Sequence, residues 1–159
     1  MTSHFRPVEL RHASRLINHG PTVLVTTADD RRRNIMAAAW SMPVEFEPPR
    51  IAIVIDKRTF TRELIAATGA FGVVVPGRAL VDLTYAVGSA SGREVDKFAL
   101  HAIEASNGPV FGMPVLEAGC AAWMECRRIA EPHSEDAYDT CFAEVVAAAA
   151  DARVFRAGR

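Results

Sequence analysis

Two short stretches of this chain gather the side chains that hold an anion. Lys57, Arg58, Thr59 and Thr61 follow one another in DKRTFT, and Ser89, Ser91, Gly92 and Lys97 do so in GSASGREVDK. The first lies between an apolar, β-branched run and a helix-like run. A helix start leaves backbone N–H groups unpaired and carries partial positive charge, so Lys, Arg and hydroxyls beside it make a place for a phosphate. Each stretch alone also reads as ordinary capping and solvated charge. The pair of them points to a phosphorylated ligand.

A third stretch, RNIMAAAWSM (33–42), holds no acid, base or nucleophile. Its small side chains would let backbone approach a flat ring closely, and Trp40 could wall one side of that ring. The same residues would also simply fill a barrel interior. The triple Arg31-Arg32-Arg33 before it is either a solvated hairpin turn or an attraction for an additional phosphate.

No catalytic constellation accompanies these stretches. His4, His12, His19, His101 and His133 are scattered, outside any GxSxG or HExxH context. Glu45 and Glu47 alternate with Phe46 as an exposed strand end would. GSASG lacks the spacing of GxGxxG and the ending of a P-loop. The three cysteines, Cys120, Cys126 and Cys141, show no CxxC spacing. They read as reduced, buried thiols in a cytoplasmic protein, without disulfide or metal. On one strand Cys120 and Cys126 would share a face, too far apart to bond.

The totals agree with one compact domain. The chain has 159 residues, 50% of them hydrophobic, and a net charge of −1. That balance gives no electrostatic case for nucleic acid or an anionic membrane. The runs IAIVI and FGVVVP are too short to span a bilayer, and MTSHFRPVELRH has no apolar signal region.

The elements that must position these residues follow from periodicity and breakers. Residues 7–18 read as a short helix opened by Pro7. TVLVTTA, a polar turn and NIMAAAWSM read as a hairpin, although alanines favour helix. RIAIVIDK is a strand. TFTRELIAATG is a helix capped by Thr59 or Thr61 and stopped by Gly69. FGVVVP is a buried strand, ALVDLTYAVG a helix, and SASGREVDKF a loop turning helical. Residues 105–119 read as loop. CAAWMECRRIAE and TCFAEVVAAA are long strands, with the AAAADARVF end ambiguous between helix and strand. About six strands and three short helices make a small antiparallel barrel with helices outside.

Four stretches together carry a resemblance: PTVLVTTADDRRRNIMAAAWSMPVEFEPP, IDKRTFTRELI, SGREVDKF and the ECR at 125–127. In order and spacing they resemble the flavin reductase-like, FMN-binding split-barrel family, in particular its flavoredoxin-like branch. The resemblance implies a mainly β, six-stranded antiparallel split barrel, as a homodimer with FMN near the interface. It implies that Asn34, Met36, Ala37, Ala38, Ala39 and Trp40 line the flavin ring. Lys57, Arg58, Thr59 and Thr61 would hold the phosphate and ribityl chain, and Ser91, Gly92 and Lys97 the second phosphate side. Lys97→Ala is then expected to weaken FMN binding with little change in fold. Tyr138 stands where the family places a His, and its phenol can still hydrogen-bond a ligand. Family members run some tens of residues further, which would leave this site more open or covered by the partner subunit.

The implied activity is an NAD(P)H-dependent flavin reductase that passes hydride from nicotinamide to FMN, with a monooxygenase or other redox partner downstream. Such chemistry needs no catalytic triad, because the flavin supplies the reactivity. Two other readings remain: an FMN-binding electron carrier or sensor without NAD(P)H turnover, and a barrel that has lost flavin and acts through its surface.

Overall fold

The computed structural model describes residues 20–116 and 118–153. The helix expected over 7–18 lies outside them. Strand β1 (Val23–Ala28) and β2 (Arg33–Ala38) form the expected hairpin. Asp29 shapes its turn: Oδ1 accepts from the N–H groups of Arg31 and Arg32 at 2.9 and 2.6 Å. The alanines are in β structure despite their helix propensity, since the ladder to β1 and burial of this face outweigh it. The run does not continue as one strand. It breaks at Ala39 and Trp40 and resumes as β3 (Ser41–Phe46), which turns back into β4 (Pro49–Asp56).

Helix α1 (Phe60–Thr68) begins where Thr59 caps it, its hydroxyl accepting from Arg62 N–H at 3.2 Å. It ends at Gly69, whose φ of 69° suits glycine. Then come β5 (Ala70–Pro76), a 3-10 turn at Arg78–Leu80, α2 (Val81–Gly88) and the single turn α3 (Lys97–Leu100). The segment expected as loop holds a small ladder, β6 (Ser106–Asn107) with β7 (Pro114–Val115). Strands β8 (Cys120–Arg128), β9 (His133–Ser134) and β10 (Tyr138–Ala150) complete the fold. The alanine-rich end is strand, because Ala147–Ala150 pair along β8.

All seven long strands join one antiparallel sheet in the order β2-β1-β5-β8-β10-β4-β3, with β9 on β10. This curled sheet is the antiparallel split barrel that the resemblance implied, with seven long strands where six were expected, because the alanine run divides into β2 and β3. Alternation along the strands divides the core. Val25, Ile53, Phe71, Cys126 and Cys141 pack on one face. Leu24, Ile35, Val74, Val87 and Phe98 pack on the other, under α2 and α3.

Cys120 and Cys126 do not share a face. Pro76 pairs with Cys120 and Val75 with Ala122, so Ala121 is an extra residue that reverses the alternation. Cys120 packs near Leu116 and Trp123, while Cys126 lies inside. Burial, with help from the Glu125 charge, raises the Cys126 thiol to about 12. Cys126 and Cys141 are free, buried thiols.

Glu125 is fully buried in β8 and anchors the loop between β6 and β7. Its carboxylate accepts from the N–H groups of Val110, Phe111 and Met113 at 2.7, 3.1 and 3.0 Å. Gly108 leaves room for it, since a Cβ there would lie 2.3 Å from the carboxylate carbon. Glu125→Gln keeps the shape but turns an amide NH2 toward these donors. It is expected to cost about 2–4 kcal/mol in urea unfolding and to speed hydrogen exchange at residues 110–113. Wild-type exchange at those amides would show that the carboxylate does not hold the loop.

Candidate functional site

A cleft of about 380 Å³ opens between β2, the start of α1 and the chain from the end of α2 to α3. Asn34, Met36 and Ala37 line it from the strand; Arg58, Thr59 and Thr61 from the helix start; Ser91, Gly92 and Lys97 from the third side. These segments are far apart in sequence, and the sheet with its covering helices brings them together. The volume lies within the range of small-molecule sites.

Asn34 is 2% exposed. Its Nδ2 donates to the Thr61 hydroxyl at 2.8 Å, which ties β2 to α1. Its Oδ1 has no hydrogen-bond partner. A buried acceptor left unpaired is costly, and here it belongs to a residue lining the cleft, so a ligand donor would complete it. Gly92 makes that arrangement possible. A Cβ on it would lie 2.1 Å from Asn34 Oδ1 and 2.9 Å from Phe60 Cδ1.

Lys97 is 3% exposed. Its ammonium donates to the Ile35 carbonyl at 2.9 Å and the Val87 carbonyl at 2.7 Å, joining β2 to the end of α2. One of its three protons remains for a ligand. The expectation that Lys97 has little part in the fold is therefore revised, because its loss would leave two inner carbonyls unpaired. Burial lowers its pKa to about 8.

The charges on the α1 side are organised by short-range pairing. Arg58 pairs with Asp56 at 2.7 Å, and hydrogen bonds from Arg58 bring the Asp56 carboxyl down to about 2. Arg93 donates to the Arg58 carbonyl at 2.6 Å and pairs with Glu63 at 3.1 Å, fastening the glycine loop to the helix start. Asp56, Phe60 and Arg93 shape the site and were not singled out from sequence. Arg93 lies within SGREVDK, but nothing local marks its carbonyl partner.

Five expected residues lie outside the cleft lining. Ala38 is buried in the core and Ala39 half-buried. Lys57 turns to the β9–β10 connection, donating to the Glu135 carbonyl, 3.9 Å from Asp139. Trp40 and Tyr138 form a pair of their own, with ring centroids 5.2 Å apart and planes tilted by 43°. Both are more than a third exposed. The cleft is rich in hydrogen-bond donors, and among the described residues it holds no nucleophile–base pair.

A split antiparallel barrel with a donor-lined, glycine-walled cleft beside one end strand defines a class of cofactor-binding barrels. Residues 15–157 match the family model "Flavin reductase like domain", and the chain belongs to that family. It is 62% identical over 159 residues to the uncharacterized protein YddH of Escherichia coli (strain K12), covering 99% of this chain and 84% of that protein. It is similar to the crystal structure of an FMN-binding domain of a flavin reductases-like enzyme from Shewanella baltica OS155. The identity is 42%, the TM-score 0.81, and the match covers 96% of this chain and 80% of that one. The flavoredoxin of Desulfovibrio vulgaris (Miyazaki F) matches at 28% identity and a TM-score of 0.78, over 99% and 79% of the two chains.

A pH test isolates Lys97. With its folded pKa near 8 and the unfolded value near 10.5, the unfolded chain binds the proton and the folded chain releases it between those values. Stability from this group therefore rises with pH across that window. Urea unfolding of wild type and Lys97→Met is expected to show the wild type gaining on the variant from about pH 8 to about pH 10. A constant difference would mean that Lys97 titrates as in water.

Proposed function

We propose that this chain binds FMN in the cleft and works as an NAD(P)H-dependent flavin reductase. The observation that carries the reading is the unpartnered Asn34 Oδ1 in a cleft whose wall must be glycine at position 92. Bound FMN would supply the hydride acceptor; the protein supplies orientation and electrostatics. Arg58, Thr59, Ser91, Gly92 and Lys97 are assigned to the phosphate end, where helix-start N–H groups and cations meet. Asn34 and Thr61 would take the ribityl hydroxyls. Met36, Ala37, Ala38 and Ala39 lead toward Trp40 and Tyr138, which are assigned to the outer end of the ring. Reduction adds negative charge to the ring, and backbone N–H donors of the alanine strand would stabilise it without a general base, while Lys97 and Arg58 would supply affinity at the phosphate.

The test is a titration with FMN followed by absorbance and Trp fluorescence. One FMN per subunit is expected, and Gly92→Ala is expected to weaken binding by at least about tenfold through loss of the Asn34 contact. A protein that ignores FMN overturns the reading. Steady-state oxidation of NADH or NADPH with FMN should show turnover. If FMN binds but neither nicotinamide is oxidised, the electron-carrier reading holds instead. The exposed Trp40–Tyr138 pair favours that alternative, since it offers an aromatic contact for a protein donor.

The homodimer is proposed on a separate observation. Strand β3 is an edge strand whose Met42 and Phe46 are 61% and 94% exposed, beside exposed Val44. An unpaired apolar edge calls for cover, and a second copy would supply it. Light scattering is expected to give a dimer, and Phe46→Asp a monomer. A monomeric wild type would remove this part. The buried free thiols of Cys126 and Cys141 agree with a cytoplasmic setting.

A further inference from the structure

Glu63 sits in the first turn of α1 and is not among the residues that line the cleft. Two arginines from distant segments meet on its carboxylate. Arg93 of the glycine loop pairs with Oε2 at 3.1 Å, and Arg32 of the β1–β2 turn with Oε1 at 3.5 Å. Both guanidiniums also lie over the Phe60 ring, 5.8 and 4.8 Å from its centre. One carboxylate thus gathers a hairpin turn and a loop onto the start of a helix. The place is a partition. Phe60 and Gly92 wall the cleft already described, and they also wall a second one of about 640 Å³ that opens under the β1–β2 turn.

Arg93 carries the effect of Glu63 to the cleft. The same guanidinium donates to the Arg58 carbonyl at 2.6 Å and to the Thr59 carbonyl at 3.5 Å. A trans peptide points its N–H away from its own C=O. A hold on the Thr59 carbonyl therefore aims the Phe60 N–H, at the helix start, away from Arg93. On the loop side Arg93 follows Gly92, whose Cα stands so close to Asn34 Oδ1 that a Cβ would lie 2.1 Å from it. The Arg93 side chain is 44% exposed, so bonds to neutral carbonyls alone would compete with water. A charge-assisted bond to a carboxylate fixes the guanidinium, and its rigid fork then serves all three acceptors.

We propose that Glu63 is a positioning residue for the anion-binding end of the cleft: through Arg93 it holds the glycine wall and the helix-start donors in place without touching the ligand. The proposal rests on the flavin reading of that cleft. It predicts a sign opposite to simple electrostatics. A carboxylate acting only as a charge repels a phosphate, so its removal would tighten binding. A carboxylate acting through Arg93 does the reverse.

The experiment measures Kd for FMN with wild type, Glu63→Gln, Arg93→Gln and the double variant, each checked by thermal melting. Glu63→Gln is expected to weaken binding by about fivefold, the scale of a half-exposed ion pair. Arg93→Gln is expected to weaken it at least as much, and the double variant to bind no more weakly than Arg93→Gln alone, because Glu63 acts through that arginine. The proposal is overturned if Glu63→Gln tightens binding. It is equally overturned if the variant melts earlier but binds FMN like wild type, since that is a residue serving the fold alone. Amide exchange reads the same contact without ligand. The N–H groups of Glu94 and Val95 bond to the Ser91 carbonyl at 3.1 and 3.2 Å, and both are expected to exchange faster in Glu63→Gln. Should wild type ignore FMN, the flavin reading falls on its own. Faster exchange confined to this loop would still establish the hold of Glu63 on the glycine wall, and wild-type exchange there would overturn it.

Discussion

Ala39 and Trp40 are the only residues between β2 and β3, the two end strands of the sheet. Laid flat, that order would hold its ends roughly 29 Å apart at the usual strand spacing. The chain from Ala38 to Ser41 can span at most about 11 Å. The sheet must therefore curl until its ends meet, and the barrel follows from that link. The Val54 N–H donating to the Trp40 carbonyl at 2.9 Å fastens β4 to the seam. Small residues suit this place because the inner one, Ala38, enters the core beside strands from both ends of the sheet.

The cleft beside β2 grows out of the same curl. Its strand wall is β2, the end strand whose outer edge carries no ladder partner among the described residues, and helices close over it from two sides. Three contacts hold that cover: Asn34 to Thr61, Lys97 to the Ile35 and Val87 carbonyls, and Arg93 to the Arg58 carbonyl. The first two tie β2 to α1 and to the single turn α3, and the third ties the glycine loop to the start of α1, so short segments with little stability alone are held on the sheet. A buried ammonium bonded mainly to carbonyls is expensive to keep charged, and an anionic ligand would lower that cost. The residues lining the cleft thus also hold the fold around it.

Asp139 shows how the remaining charge is kept away from the cleft. Burial works against its ionisation, but hydrogen bonds from Arg62 and Ser134, with the charges of Arg62 and Lys57, hold its carboxyl below the usual range. Arg62 meets it at 2.8 Å, so α1 is clamped to β10. Lys57, adjacent in sequence to Arg58, is drawn to this clamp and to the β9–β10 turn instead of the cleft. In the turn after β4 the two neighbours take different partners, Lys57 the Glu135 carbonyl and Arg58 the Asp56 carboxylate, and that separates two basic residues that look equivalent in sequence.

The sequence by itself determined the local elements and the chemistry of the cleft. Thr59 and Gly69 mark the ends of α1 because a cap hydroxyl and a left-handed glycine act within one turn. The basic, hydroxyl-rich stretches at 57–61 and 89–97 supply two walls of the cleft. Tertiary structure decided what depends on distant partners. It broke the alanine run at the seam, kept Ala147–Ala150 in β10 through pairing with β8, and reversed Cys120 by an extra residue opposite Pro76. It also turned Lys97 into a tie within the core and set the arginine turn beside a second cleft. No local pattern encodes these outcomes, because each is set by a strand or helix tens of residues away.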